Sequence, residues 1–242
     1  MRTVIIIPAR YKSSRFEGKP LADICGKPMI VWVWEQCVGA LPQEDVYVAT
    51  DDALIAETCR DTGIQVIMTS DTCLTGTDRV YEASRQVSAD LYVNVQGDEP
   101  LIEPADILAV INAAKAVPGT IVNAMCPITE ERDFRSPTVP KVVARPDRTL
   151  LYMSRAPIPT NKDHAFESAM KQVCIYAFPG NALTAFAEQG QKTSLEAIED
   201  IEILRFLEMG HPVHMVEVSG ASIAVDVPAD IKRVEEALGA GA

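Results

Sequence analysis

Four short runs of apolar, β-branched residues constrain the fold more than any other feature of the chain. They read TVIIIPA (3–9), DVYVAT (45–50), IQVIMTS (64–70) and DLYVNVQ (90–96). Apolar residues in succession indicate strands that are buried on both faces, as in a parallel sheet. The segments between the runs are helical in pattern and span 28–40, 52–62 and 77–88. This alternation predicts half of a doubly wound α/β sheet.

The pattern is less regular beyond Gly97. The expected strands are 120–128, 140–146, 171–179, 213–219 and 222–228, and the expected helices are 104–115, 194–210 and 229–238. The long helix over 194–210 is predicted to begin with a capping box, because Glu196 follows Thr193 by three positions. No low-complexity linker divides the chain. We therefore expect one domain over 1–242, with an inserted, dimer-forming lobe at about 130–190.

Composition argues against several classes of protein. The 242-residue chain carries a formal net charge of −12, whereas binders of nucleic acid or anionic membranes need a basic face. No stretch reaches the ~20 apolar residues of a membrane span, and the first ten residues are too short for a signal peptide. The six cysteines stand singly, without the spacing of a zinc site or a disulfide framework. We expect a cytoplasmic protein with no nucleic-acid or membrane partner.

A basic loop interrupts this acidic chain directly after the first predicted strand. Residues 1–27 hold six cations against two anions, and four of the cations lie in the loop at Arg10, Lys12, Arg15 and Lys19. One interpretation is a solvated basic loop, which charge runs usually are. The other is an anion site, because nucleotides bind at the carboxyl ends of parallel strands. The loop has neither a Walker A motif nor a G-x-G-x-x-G motif.

Two carboxylates follow predicted strands in the same way. Asp98 comes after DLYVNVQ and a glycine, and Asp226 lies in IAVDVPAD before Pro228. Carboxylates at a sheet edge suit Mg²⁺, which usually takes one or two of them and completes its coordination with water and substrate phosphates. Each also has a structural interpretation, Asp98 as a turn former and Asp226 as a helix cap.

A series of motifs covers nearly the whole chain in one order. The motifs are IIIPARYKSSRFEGKPL, GKPMI, VYVATDD, MTSDTCLTGTDRV, YVNVQGDEPLI, YMSRAPIP, LEAIEDIEILRFLEMG and IAVDVPADI. In content and order the chain resembles the bacterial 3-deoxy-manno-octulosonate (Kdo) cytidylyltransferases, or CMP-Kdo synthetases. The resemblance implies a Rossmann-like nucleotidyltransferase fold with a mostly parallel sheet, a homodimer, and a Mg²⁺-dependent reaction of CTP with Kdo that gives CMP-Kdo and pyrophosphate.

The resemblance also assigns roles to individual residues. Those implied to bind the nucleotide are Ala9, Arg10, Ser13, Ser14, Arg15, Lys19, Thr75, Gly76 and Thr77. Arg10, Lys19 and Asp98 form the implied catalytic group, and Asp98 and Asp226 the implied metal ligands. Lys12 falls at a position that the motif does not require. Thr75 or Thr77 has a second interpretation as a helix N-cap, with Asp78 in the first turn.

Acceptor contacts are implied for a further set of residues, namely Arg79, Gln96, Arg155, Gln172, Tyr176, Glu199 and Glu202. One of them departs from the family pattern, because Gln172 stands where a sugar-contacting histidine is expected. Glutamine can hydrogen-bond a hydroxyl group but cannot carry positive charge. Besides CMP-Kdo synthesis, two alternatives therefore stay open: CMP transfer to another acidic keto sugar or anionic acceptor, and a non-catalytic nucleotide-binding regulatory subunit.

Overall fold

The computed structural model describes residues 1–13 and 15–240, which fall into two compact units. The first unit comprises the chain up to Leu108 together with the chain from Ala221 onward, and the second is Ala109–Gly220. Ser14, a predicted phosphate-loop residue, lies outside the described residues. None of the described helices is long and apolar enough to cross a membrane.

A parallel sheet forms the centre of the first unit. The strands of this unit are β1 (Thr3–Ala9), β2 (Asp23–Ile24), β3 (Lys27–Pro28), β4 (Val46–Thr50), β5 (Gln65–Met68) and β6 (Leu91–Val95). The sheet has the order β6-β1-β4-β5, while β2 and β3 pair as a short hairpin. All seven residues of β1 are buried, which accounts for its unbroken apolar run. The four predicted strands and their parallel pairing are confirmed.

Helices follow the strands of the first unit as predicted. They are α1 (Met29–Ala40), α2 (Ala53–Asp61), α3 (Gly76–Ser84) and α9 (Ala229–Ala240), and α4 (Pro104–Ala116) contains the boundary between the units. The Asp52 carboxylate caps α2 by accepting hydrogen bonds from two amides of the first turn. Thr75 caps α3, because its hydroxyl accepts from Asp78 N–H at 3.2 Å. These side-chain caps help to fix where α2 and α3 begin.

The second unit has a mixed sheet. Its strands are β7 (Ile121–Pro127), β8 (Lys141–Ala144), β9 (Leu150–Ser154), β10 (Met170–Pro179) and β11 (Val213–Glu217). Strand β7 pairs parallel with β11 and antiparallel with β10, and β10, β8 and β9 continue in antiparallel order. Its helices are α5 (Glu131–Arg135), α6 (Gly180–Glu188), α7 (Ser194–Glu199) and α8 (Ile203–Glu208).

The single helix predicted over 194–210 is wrong. The capping box of Thr193 and Glu196 is present, but α7 ends at Asp200, which adopts the left-handed conformation with φ 51°. The chain then turns before α8 begins. Ile198 in α7 is 78% exposed, whereas Ile201, in the turn before α8, is buried. The segment therefore has no single apolar face that runs through one helix.

The strand predicted over 222–228 is also wrong, because residues 221–226 form no regular element. Val225 nevertheless has defined backbone partners: its N–H donates to the Asp98 carbonyl at 2.9 Å, and its carbonyl accepts from the Lys19 ammonium at 3.0 Å. Its side chain is buried in a cluster with Ile24 and Met29. The Lys19 side chain thus satisfies the Val225 carbonyl, which in a regular strand would accept from the backbone of a neighbouring strand.

A buried ion pair links α7 and α8. Arg205 donates to both carboxylate oxygens of Glu196 at 2.7 Å, and neither side chain is exposed. Arg205 also donates to the Phe186 carbonyl and lies over its ring. Removing one member of such a pair leaves a buried, uncompensated charge.

We expect Arg205→Met to lower the free energy of unfolding by roughly 3–5 kcal/mol, because Glu196 would stay charged and buried. Urea denaturation measures the loss. The double variant Arg205→Met/Glu196→Gln removes the charge but retains an amide that can complete the capping box, so it should lose less than the single variant. A double variant no more stable than the single one would contradict this account.

Candidate active site

The basic loop between β1 and a 3₁₀ turn at Lys19–Leu21 is closed by its own backbone. Gly18 N–H donates to the Tyr11 carbonyl at 2.9 Å, and Gly18 has φ 67°, a conformation that favours glycine. Arg10, Lys12 and Arg15 are exposed. Within the described residues, neither Arg10 nor Lys12 forms an ion pair. The loop therefore presents exposed cationic groups to which an anion could bind.

Lys19 joins three segments of the chain. Its ammonium donates to Asp98 Oδ2 at 2.8 Å and to the Val225 carbonyl at 3.0 Å. Asp98 follows β6, and its own carbonyl accepts from Val225 N–H. We call Lys19, Asp98 and Val225 the Lys19 junction. It brings the loop, the end of β6 and the segment before α9 to one place.

Asp226 extends the Lys19 junction by one residue. Its Oδ1 lies 3.1 Å from the Arg15 guanidinium, and its backbone N–H donates to Asp230 in α9. Within the described residues, the other oxygen of Asp226 and the other oxygen of Asp98 have no hydrogen-bond partner. In the part of the chain that the structure describes, the Asp226 carboxylate accepts from no amide of α9, so it does not act as a helix cap and keeps an oxygen that could bind a cation.

The predicted base-side segment meets the ends of two strands. Gly76 begins α3, and a Cβ atom there would lie 2.8 Å from Gln96 Nε2 and 3.4 Å from Pro8. A side chain at position 76 would therefore displace the amide end of the Gln96 side chain. Thr75 is the helix N-cap, as one of the two interpretations predicted, and Thr77 is buried. Ala9 is buried at the end of β1, and Ser13 is half-buried in the loop.

Arg79, a predicted acceptor contact, is almost fully buried. Its guanidinium lies 3.0 Å from Asp51 and donates to the Thr69 hydroxyl and, at 3.4 Å, to the Ser70 carbonyl. It therefore ties α3 to the segments that follow β4 and β5. Sequence reasoning missed Asp51, although its place directly after a buried strand was a usable signal.

In the second unit, the carboxylate of Glu199 is surrounded by donors. It accepts from Ser154 Oγ at 2.6 Å, from Arg155 N–H at 2.8 Å and from Tyr152 Oη at 3.3 Å. Burial raises the pKa of Glu199, but these hydrogen bonds and the Arg155 charge outweigh burial and lower the pKa below its ordinary value. Glu199 is thus held as an anion beside the end of β9.

Arg155 is a predicted acceptor contact whose guanidinium is engaged with backbone carbonyl groups. It donates to the carbonyls of Glu199, Asp200 and Pro137, the last two at 3.0 and 2.9 Å. These contacts satisfy carbonyls at the end of α7 and help to explain why the helix stops there. Glu202 lies at the N-terminal boundary of α8. Arg155 and Glu199 lie in one hydrogen-bonded cluster.

Gln172 and Tyr176 lie in β10 on either side of a break in its register. Gln172 Nε2 donates to Asn123 Oδ1 at 2.9 Å. Between Val173 and Tyr176 the pairing with β7 shifts, which marks a β-bulge. Tyr176 is buried, and its ring stacks on Phe178 with the centroids 5.8 Å apart.

Comparison with known proteins gives a consistent result. A family model described as Cytidylyltransferase matches residues 4–217. A 3-deoxy-manno-octulosonate cytidylyltransferase of Geobacter metallireducens is 44% identical, over 98% of this chain and 98% of its own. The chain belongs to the CMP-Kdo synthetase family of cytidylyltransferases. A mitochondrial 3-deoxy-manno-octulosonate cytidylyltransferase of Arabidopsis thaliana is 40% identical, over 97% of this chain and 82% of its own.

A solved structure confirms the fold expected of a CMP-Kdo synthetase. The structure of CMP:2-keto-3-deoxy-manno-octonic acid synthetase complexed with CTP covers 100% of both chains with a TM-score of 0.92 and 35% identity. The α/β nucleotidyltransferase fold is therefore correct.

Sequence reasoning also missed Lys141, which is fully buried in this CMP-Kdo synthetase family member. Its ammonium donates to the carbonyls of Ser136, Val139 and Arg155 at 2.6–2.7 Å. Burial, with a smaller contribution from the Arg155 charge, lowers the pKa of Lys141 to about 8. The lysine in the predicted strand PKVVA did not by itself indicate a buried charge, because a long lysine side chain can extend from a strand into solvent.

We expect the pKa of Lys141 to lie near 8, well below the ~10.4 of a lysine in an unfolded chain. Because the folded pKa lies below the unfolded one, the Lys141 charge opposes folding below pH 8. Its contribution to the free energy of unfolding should rise as pH increases from about 8 towards ~10.4. The ¹³Cε chemical shift of Lys141 measures its titration midpoint, and the signal lost in Lys141→Met assigns the resonance. A Lys141 midpoint above pH 10 would contradict the burial argument.

Proposed function

We propose that the protein is a 3-deoxy-manno-octulosonate cytidylyltransferase, which transfers CMP from CTP to the anomeric hydroxyl of Kdo and releases pyrophosphate. Membership of the CMP-Kdo synthetase family over the whole chain supports this activity. The observation that carries it is the Lys19 junction, where a loop cation contacts a strand-end carboxylate. The junction supplies the charged groups that nucleotidyl transfer needs.

Local positive charge is the first requirement for such a reaction. CTP carries about four negative charges, and a chain of net charge −12 repels it unless cations are concentrated at the site. Arg10, Arg15 and Lys19 lie in or beside the basic loop and can contact the triphosphate. We assign Arg10 and Lys19 to stabilise the pyrophosphate as it leaves. Thr75, Gly76 and Gln96 lie at the ends of β1 and β6, where we place the nucleotide and the acceptor.

The chemistry is a direct displacement at the α-phosphorus of CTP. The anomeric oxygen of Kdo forms a new bond to that phosphorus, and the bond between the α-phosphorus and the bridging oxygen to the β-phosphate breaks. The bonding electrons leave with pyrophosphate, and the hydroxyl proton passes to solvent. No covalent enzyme intermediate is needed. The roles of the protein are therefore to position the reactants and to neutralise charge.

Two carboxylates in the first unit fit a Mg²⁺ ion. The described residues hold no group of three or more His, Cys, Asp and Glu side chains that could bind a metal ion without further ligands. Mg²⁺ usually binds through one or two carboxylates together with substrate phosphates, so Asp98 and Asp226 are a sufficient protein set. Each has one oxygen without a partner among the described residues. When bound, Mg²⁺ would supply positive charge beside the α-phosphate.

The remaining features of the proposal concern the protein as a whole. We propose that residues 1–242 work as one cytidylyltransferase domain and that the protein is a homodimer formed through about 130–190. We also propose that it acts in the cytoplasm.

The test of the proposed function is pyrophosphate release from CTP and Kdo with Mg²⁺. The wild-type protein should turn over CTP far better than ATP or GTP. Lys19→Met should lower kcat/KM by roughly 100-fold, because it removes a cation directed at developing phosphate charge. The exposed Lys12 offers a matched control, and Lys12→Met should have a much smaller effect.

Equal losses in the two lysine variants would show that the loop acts only through its total charge. Equal turnover of a purine triphosphate would contradict the assignment to a cytidylyltransferase. Thermal unfolding of both variants distinguishes a lost charge at the site from a disturbed Lys19 junction.

A further inference from the structure

The segment between β5 and α3, residues 69–75, leads directly into the start of the helix where we place the nucleotide. Two side chains of α3 contact it. Arg79 donates to the Thr69 hydroxyl and, at 3.4 Å, to the Ser70 carbonyl. Glu82 Oε1 accepts from Ser70 N–H at 2.8 Å. The helix therefore holds the beginning of the 69–75 segment that precedes it.

Glu82 also holds the middle of the 69–75 segment. The Cys73 thiol donates to Glu82 Oε2 at 3.1 Å. Burial, together with this hydrogen bond, raises the pKa of Cys73 to about 12. The thiol therefore stays protonated at neutral pH and acts as a donor to the carboxylate. Each oxygen of Glu82 thus accepts from one group of the segment.

A carboxylate that follows another strand holds Arg79 in turn. Asp51 Oδ1 lies 3.0 Å from the Arg79 guanidinium, which is almost fully buried. Asp51 directly follows β4, and the carbonyl of Thr50 at the end of that strand accepts from Thr69 N–H at 2.9 Å. A buried guanidinium that loses its carboxylate is left with an uncompensated charge. Asp51 therefore keeps Arg79 in the place from which it contacts the 69–75 segment.

The start of α3 packs too closely on the sheet to move without consequence. A Cβ atom at Gly76 would lie 2.8 Å from the Gln96 side chain and 3.4 Å from Pro8. Arg79 lies one turn further along the helix, and its N–H donates to the Thr75 carbonyl at 3.3 Å. A displacement of Arg79 would therefore shift the first turn of α3 against the ends of β1 and β6.

We propose that Asp51, Arg79 and Glu82 are positioning residues for the nucleotide, because they fix the start of α3 and the 69–75 segment before it. The proposal rests on the proposed function, which places CTP at this end of α3. It gives Arg79 a role different from the acceptor contact that the family resemblance implies. The reason is that its guanidinium is buried and directed at groups of the protein.

The test measures the dissociation constant for CTP with Mg²⁺ by isothermal titration calorimetry, and the KM values for CTP and Kdo. Asp51→Asn should weaken CTP binding about tenfold and raise the KM for CTP to match, because Arg79 loses its counter-charge. The KM for Kdo at saturating CTP should not change. If Asp51 acts through Arg79, the double variant Asp51→Asn/Arg79→Met should bind CTP no more weakly than Arg79→Met alone.

Two further variants test the other contacts of the 69–75 segment. Glu82→Met removes both carboxylate oxygens and should also weaken CTP binding about tenfold. Thr69→Val keeps the shape of the side chain and removes only the hydroxyl that accepts from Arg79, so it should weaken CTP binding about threefold. Thr69→Val replaces Asp51→Asn if the latter does not fold.

Asp52→Ala is the matched control for a loss of stability. Asp52 is the next carboxylate in the chain, and it caps α2 by accepting from the N–H groups of Leu54 and Ile55. Loss of this cap should lower the melting temperature without weakening CTP binding. Asp51→Glu retains the negative charge and should recover most of the affinity that Asp51→Asn loses.

The outcomes distinguish the two proposals. A wild-type protein that binds CTP but releases no pyrophosphate with Kdo overturns the proposed function, while CTP binding by the variants still decides the positioning roles. A wild-type protein that does not bind CTP overturns both. Unchanged CTP binding in folded Asp51→Asn and Glu82→Met, or an equal loss in Asp52→Ala, overturns the positioning roles alone.

Discussion

The contact of Lys19 with Asp98 and the Val225 carbonyl is the interaction on which the first unit depends most. It joins the loop after β1, the end of β6 and the segment before α9, which lie far apart in sequence. An ammonium group can do this because it donates three hydrogen bonds from one compact charge. The junction also sets Asp226 beside Asp98, although 128 positions separate them. The proposed metal site thus depends on the contacts that hold the loop, the end of β6 and the segment before α9 together.

Buried and half-buried polar groups perform a similar role in the second unit. Lys141 donates to three backbone carbonyls, Glu199 accepts from three donors, and Asn123 donates to the carbonyls of Val173 and Ile175 in β10. Each group is costly to bury unless its hydrogen bonds are made, so each one specifies a single arrangement of the backbone around it. Gln172 and Glu199, for which the family resemblance implies sugar contacts, are therefore held in place by residues of the second unit.

Most of the fold could be predicted from the sequence, because buried parallel strands leave a clear pattern. The predictions for β1, β4, β5 and β6 depended only on apolar runs, and the capping box at Thr193 depended on two residue types at one spacing. The failures have physical causes. The helix break at Asp200 involves a hydrogen bond from Arg155, which is distant in sequence. The Val225 carbonyl accepts a hydrogen bond from the Lys19 side chain, and not from the backbone of a neighbouring strand.

The candidate site was predictable only in part. Strand ends and the resemblance identified Lys19, Asp98 and Asp226, which the structure brings together. The partners that fix other residues, such as Asp51 for Arg79 and Asn123 for Gln172, were missed because such pairings arise from tertiary contacts. A buried asparagine in the run IVNAM was a signal that could have been used, since an unpaired buried amide is costly.

The central claim is that Asp98 and Asp226 hold one divalent ion together. Mn²⁺ binding, measured by electron paramagnetic resonance with a non-hydrolysable CTP analogue present, tests it directly. Asp98→Asn and Asp226→Asn should each weaken Mn²⁺ binding more than tenfold, and the double variant should be little worse than either, because the two carboxylates act as one unit. The exposed Asp163 serves as the control through Asp163→Asn. Unchanged Mn²⁺ binding in either single variant, with its fold intact, would show that the ion lies elsewhere.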